Sequence, residues 1–520
     1  MRGVVAAGHP LTAEAGAEVL RNGGNAVDAA CCAMLTSFAC ESPLTGFGAG
    51  GFMTIHMPGG RGSEEAAGNV VIDFFVEAPG REGTDRGEEL VPIEVFFDAD
   101  NPQVFNVGPA SCGVPGTAAG IALALKRYGT MPMEVLCEPA IRHAREGMPV
   151  NRQQAFVLKI LEPIYTRTAE VRAIYAPEGR ILREGDVFRF PDLADALERF
   201  AAEGPEPFYG GDVGRVLADF VRERGGTLSH ADMAAYRPVE RRPARASFRG
   251  TEVLTNPPPS SGGILIAFAL ELLERRGRSR LEDVVAAMRA ANESRDEGFS
   301  AGLREEGFLE RFLDGTRLDE IAASLSTRAD RGGPGDSLGS TTHLVAVDGE
   351  GVCASVTCSN GTGSSVLVPG TGVHLNNMLG EEDLNPHGFH LTPVGERLPS
   401  MMSPTVILRD GEVIAGLGSA GSNRIRSAIL LTTIRLLDDG LGPEEAILAP
   451  RIHYEAGVVH AEPGIDEASL AGLEAAGLEV VRWRERNLFF GGVQAVARDP
   501  AGGGMSGGGD PRRGGAAVVA

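Results

Sequence analysis

The chain is 520 residues long, 43% hydrophobic and 23% charged, with a formal net charge of −22. Apolar content at that level excludes a disordered chain, and the acidity makes nucleic acid and anionic lipid surfaces poor partners. No apolar run reaches the eighteen or so residues of a membrane span, the longest being the core-sized Ile264–Leu270.

At roughly 150 residues per domain, length alone suggests about three or four domains. Seven cysteines, Cys31, Cys32, Cys40, Cys112, Cys137, Cys353 and Cys358, make an odd set without a CxxC spacing, so reduced, buried thiols are expected. Met1–Val5 runs straight into Gly8-His9-Pro10 with no apolar export core, and the expected location is cytoplasmic.

Along the chain, residues 11–39 read as two helices, the first capped by Thr12 and the pair joined by a tight turn at Gly23-Gly24-Asn25. Gly46–Ile55 is a glycine-dense entry to a strand. Its spelling approaches GxGxxG but precedes a strand instead of joining a strand to a helix, the wrong context for a dinucleotide. Strands follow around Val70–Phe75 and Ile93–Phe97. Residues 116–290 read as mostly helical, with a short strand at Val253-Leu254. Residues 326–340 are polar and glycine-rich, a linker that cannot pack a core. Strands then pair around Asp348-Gly349 (His343–Val347 with Val352–Val356) and around Asp410-Gly411 (Thr405–Leu408 with Val413–Leu417). Ile425–Leu437 reads as a helix ended by Gly440, and 502–515 as a loose glycine-rich stretch. The expectation is a helix-rich half joined to a strand-rich half.

Ser340-Thr341-Thr342-His343 stands where linker meets strand. A threonine hydroxyl is a weak nucleophile until a base adjoins it, and its own α-amino group can be that base once threonine begins a chain. Attack of the Thr341 hydroxyl on the Ser340 carbonyl, then hydrolysis of the ester, would expose that amine.

Across nearly its whole length the sequence resembles the γ-glutamyltranspeptidase family of N-terminal-nucleophile hydrolases. The matching stretches are Gly8–Leu11, Gly23–Ala30, Gly46–Phe52, Gly113–Thr117, Tyr128–Met131, Gly204–Gly211, Pro257–Gly263, Thr341–His343, Asn376-Asn377, Arg397–Thr405 and Gly418–Ile425, in family order. The resemblance implies an α+β fold, a four-layer αββα sandwich built from both halves as one unit. It implies cleavage into segments 1–340 and 341–520 that stay associated. It implies acyl transfer from γ-glutamyl amides such as glutathione to water, an amino acid or a peptide, with no metal and no cofactor. Thr341 matches the nucleophile, Ser359 the hydroxyl that orients it, and Gly421 with Ser422 the backbone pair of an oxyanion hole.

Recognition residues match less well. The family arginine that pairs with the substrate carboxylate is Phe75 here, in Asp73-Phe74-Phe75-Val76-Glu77-Ala78-Pro79. A supporting serine pair reads Ser400-Met401. The amine-binding stretch reads Asn376-Asn377-Met378-Leu379-Gly380-Glu381, its glutamine lost but Glu381 retained, and Asn360 stands one residue from the family's asparagine. Phenylalanine cannot make a bidentate carboxylate contact, so either Arg397 or Arg424 takes it over or the enzyme is an acylase for another amide. An unprocessed, inactive binding protein is the reading from another class. His343 beside the nucleophile reads as structural. His387 and His390 have metal-like spacing but no third ligand. Trp483, Phe489 and Phe490 read as packing.

Overall fold

In the computed structural model the residues described are 2–520, apart from 61–67, 86, 97–101, 326–340, 386 and 503. The linker, Ser340 within it, and Phe97 lie outside the described residues.

The first two helices are Pro10–Arg21 and Ala26–Cys40. The first starts earlier than Thr12: His9 is its cap, Nδ1 accepting the Leu11 N–H at 3.1 Å. Gly23 turns the chain at φ +92°. Asn25 and Asp28 then form a reciprocal capping box. Every residue of Ala26–Cys40 is buried, and its alanines and cysteines let it lie close on a sheet. All seven cysteines are free and buried.

Two antiparallel sheets face one another. The seven-stranded sheet runs Ala516–Val519, Gly3–Ala7, Thr342–Asp348, Cys353–Ser359, Gly50–His56, Asn69–Phe74, Val239–Arg241. The six-stranded sheet runs Met505–Gly509, Gly492–Arg498, Glu412–Ala420, Thr405–Arg409, Thr251–Thr255, Ala244–Phe248. Val4, Ala6, Leu254, Val345, Val406 and Val496 fill the seam between them. Helices Pro10–Arg21 and Ala26–Cys40 cover the outer face of the first sheet, and Gly262–Arg276 and Arg424–Leu437 that of the second. This is the αββα sandwich. Among the described residues no helix is long and apolar enough to cross a membrane.

The division into a helical half and a strand half does not hold, because both halves feed both sheets. Gly3–Ala7 pairs with Thr342–Asp348, in register from Gly3 with Asp348 to Ala7 with Leu344. The two read hairpins form, the second with a bulge between Ile407 and Leu408. The strand near Ile93 runs Val91–Phe96 and pairs only with Pro102–Val107, outside both sheets. The helix Arg424–Leu437 is capped by Asp438, and Gly440 turns the chain beyond it at φ +66°. The stretch 502–515 is not loose: Met505–Gly509 is a strand. A side chain at Gly507 would meet Val4 Cγ1 at 2.7 Å, and one at Gly509 would meet the Ala516 nitrogen at 2.1 Å. Its glycines reflect close packing, not slack.

Candidate active site

Strand register brings the two hydroxyls named from the sequence together. Thr342 pairs with Cys358, so Thr341, just before its strand, lies across from Ser359 at the end of the next. Thr341 Oγ1 donates to Ser359 Oγ at 3.3 Å, and Ser359 Oγ accepts the Gly361 N–H at 2.9 Å. Thr342 points to the helical layer and donates to Glu41 Oε2, while Thr12 Oγ1 donates to Glu41 Oε1 at 2.9 Å. Burial pushes the Glu41 carboxyl up to about 7. Glu41 was not read from the sequence. An acid directly after a wholly buried helix was the available signal.

The strand Glu412–Ala420 ends in a tight turn before the helix Arg424–Leu437. Gly421 has φ +122° and Ser422 φ +53°, a left-handed conformation that a side chain adopts only at a cost of roughly 1 kcal/mol. Arg424 N–H donates to the Gly421 carbonyl and Ile425 N–H to the Ser422 carbonyl, both at 3.1 Å. The turn is thereby held beside the helix N-terminus, where positive potential gathers.

A cleft of about 380 Å³ is lined by Thr341, Ser359, Phe75, Glu381, Ser400, Met401 and Ser422, seven of the residues named from the sequence. Gly361, Met378, Asp383, Leu384, Met402 and Ile425 line it too, and among the described residues no arginine or lysine does. Phe75 is fully buried, stacked on Phe52 with centroids 5.3 Å apart. Burial, then the charge of Asp383, pushes Glu381 up to about 8. Ser400 Oγ accepts the Met402 N–H at 3.1 Å, and its carbonyl accepts Ser260 Oγ at 2.8 Å.

Asn360 and Asn377 do not line the cleft. Asn377 Oδ1 accepts the Thr362 N–H at 2.8 Å, and its Nδ2 donates to Thr362 Oγ1 at 3.0 Å. Asn360 Nδ2 donates to the His374 carbonyl at 3.3 Å. Arg397 and Arg424 are also absent from the lining. Arg397 pairs with Asp73 and Glu77 and lies 4.4 Å from the Tyr236 ring centre, and Arg424 lies 4.9 Å from that of Phe489, which itself stacks on Trp483. His343 Nδ1 is 2.8 Å from Thr357 Oγ1, and its ring lies against Gly418 between the sheets. Burial lowers its pKa to about 3, so it is neutral. His387 Nε2 contacts Ser300 Oγ at 3.0 Å. Among the described residues no group of three or more histidines, cysteines or acids is placed to hold a metal ion.

A family model described as gamma-glutamyltranspeptidase matches residues 12–520. The chain is 32% identical to the acylase ACY 1 proenzyme of Pseudomonas sp. strain SE83, over 96% of this chain and 90% of that protein. It is 31% identical to the glutathione hydrolase proenzyme of Escherichia coli K12, over 98% and 90%. Its structure superposes on that of cephalosporin acylase from Bacillus halodurans with a TM-score of 0.84 at 26% identity, covering 99% of this chain and 95% of that one.

Proposed function

Since the chain belongs to the γ-glutamyltranspeptidase family, we propose that it is a self-processing threonine amidase whose acyl site takes acyl groups without a free α-carboxylate. The observation that carries this reading is the wall of the cleft beside Thr341. Phe75, Met378, Met401 and Met402 stand there, and among the described residues no arginine or lysine does. An α-carboxylate entering that cleft would lose its water without gaining a counter-charge, whereas apolar surface buried there contributes about 25 cal/mol per Å².

In this reading cleavage of the Ser340–Thr341 bond leaves segments 1–340 and 341–520 associated. The freed α-amino group of Thr341 takes the proton from Oγ1 as it attacks the amide carbonyl. Ser359 orients that hydroxyl. The backbone N–H groups of Gly421 and Ser422 meet the developing oxyanion, each worth roughly 10²–10³ in rate. The amine leaves with the proton, and water or a second amine then releases the acyl group from the Thr341 ester. Both the acylase and the glutathione hydrolase relatives are proenzymes, which supports processing.

A second reading keeps γ-glutamyl amides as substrates. It is favoured by Glu381 and Asp383, two acids able to meet a substrate ammonium, and by the glutathione hydrolase relative. One panel separates the two: γ-glutamyl, glutaryl and simple alkanoyl amides of a common aniline, assayed on purified enzyme. Higher kcat/KM for the alkanoyl amides supports the first reading. A clear preference for the γ-glutamyl amide overturns it.

A further inference from the structure

A second cavity, with about 690 Å³ of empty space, opens near the reacting residues. It shares no lining residue with the acyl cleft, yet it touches the reacting centre at two points. Glu41 in its wall accepts from Thr342, the residue after the nucleophile. Arg513, also in its wall, stands so close to the oxyanion turn that a side chain on Gly421 would meet its Nη2 at 3.3 Å. Val157, Ile160, Leu161 and Leu488 give it an apolar body.

Arg513 is the unusual group. Its Nη2 donates to the Leu488 carbonyl at 3.4 Å, its Nε is buried without an acceptor, and among the described residues it is in no ion pair. The carboxylate that acts on it, Asp510, is already paired with Arg451 and Arg512, and a desolvated guanidinium without a carboxylate of its own is costly to keep. Glu41, the one acid in the wall, is engaged by the hydroxyls of Thr12 and Thr342. Outside, a wide groove shares Gln153 and Leu488 with the cavity. It carries Arg152, Lys159, Arg183 and Arg486 against only Glu162 and Glu485 in its lining. On a chain of net charge −22 this is a local reversal of sign, of the kind that draws anions in.

We propose that this cavity holds the amine half of the substrate, a leaving group that carries a carboxylate, with Arg513 on the carboxylate and the apolar wall around its body. This rests on the amidase reading above. The acyl half lies in the methionine-lined cleft, the amine half lies toward Arg513, and Thr341 stands between them.

The test uses two amides of one acyl group, one with aniline and one with 4-aminobenzoate as the amine. The purified enzyme should use the 4-aminobenzoate amide better in kcat/KM by roughly ten-fold or more, the worth of one charged hydrogen bond. Arg513→Gln should bring the ratio of the two amides near one, and Arg513→Lys should restore part of it. Equal use of the two amides by the unmodified enzyme overturns the proposal, as does a ratio unchanged in Arg513→Gln. If neither amide is cleaved, the amidase reading fails, and the site is judged by binding alone. Calorimetry on the purified full chain should then find 4-aminobenzoate bound and aniline not, with binding lost in Leu161→Trp, which fills the cavity. Binding that survives both Leu161→Trp and Arg513→Gln, or no binding at all, overturns the site itself.

Discussion

The two sides of the cleft at Thr341 are made of different material. On one side Thr341, Ser359, Gly361 and Ser422 meet through strand register and a tight turn, with small side chains and main-chain groups. On the other, Phe75, Met378, Met401 and Met402 present bulk and no charge. The first side depends on the backbone of two sheets, so altering it means altering the fold. The second depends on side chains alone, which can change while the bond-breaking apparatus stays in place. On the proposed function, chemistry and selectivity are thus carried by separable parts of the molecule.

The strongest way to break that comparison is at the nucleophile. Thr341→Ala should remain a single chain on a denaturing gel and lose amidase activity by about 10⁴-fold or more. A variant that still cleaves itself would sink the assignment. The next largest effect is on the opposite wall. Met378→Gln combined with Phe75→Arg should raise kcat/KM for a γ-glutamyl anilide, relative to an alkanoyl anilide, by roughly ten-fold or more for each charged hydrogen bond the new side chains make to the substrate. The stack of Phe75 on Phe52 makes a lower melting temperature expected as well. A relative preference that does not move, in a protein that still melts cooperatively, would refute the role given to this wall. Ser359→Ala should slow both processing and turnover by about ten-fold, the loss of one hydrogen bond at the reacting centre. Single-turnover rates equal to those of the parent would reduce Ser359 to packing.

The register side was the more legible. Thr341 was named from the linker's end and the resemblance, and Ser359 and Gly421 from the resemblance; the structure sets Thr341 across from Ser359 at the ends of adjacent strands and Gly421 in a turn before a well-patterned helix. The opposite wall was legible only as departures. That Phe75 and Met401 border one cleft depends on packing from Phe52 and on the loop around Ser400, hundreds of residues apart in sequence. Asn360 and Asn377 were named as substrate contacts; neither lines the cleft, Asn377 being held by Thr362 and the Nδ2 of Asn360 by the His374 carbonyl, a matter of loop geometry that no local pattern encodes. The strand at Met505–Gly509 was hidden because glycine, required there by the closeness of Val4 and Ala516, reads as slack in sequence.

Two smaller effects sharpen the register side. Glu41 is held near 7 against an ordinary 4.5, by burial. A carboxyl whose pKa is raised on folding stabilises the fold fully below its unfolded value, and that contribution is lost as pH rises through the folded one. The melting temperature of the parent should therefore fall between about pH 4.5 and 7 by more than that of Glu41→Gln. Identical pH profiles would remove Glu41 from the account. The smallest change is expected for Ser422→Gly. It relieves a left-handed serine at a gain of up to about 1 kcal/mol, partly offset by glycine's freedom when unfolded. Turnover should be unchanged, because only the main-chain N–H is assigned a part. A large drop in kcat would implicate the Ser422 hydroxyl, which is buried without a partner among the described residues.

The pairing of Gly3–Ala7 with Thr342–Asp348 on one side and Ala516–Val519 on the other sets a timetable for biosynthesis. At roughly 5–20 residues per second, the first strand leaves the ribosome tens of seconds before either neighbour exists. Through that interval Val4, Val5 and Ala6, all buried in the finished sheet, have no strand to pair with. Slowing elongation between residues 40 and 340 prolongs that exposure and should lower the yield more than slowing it before residue 40.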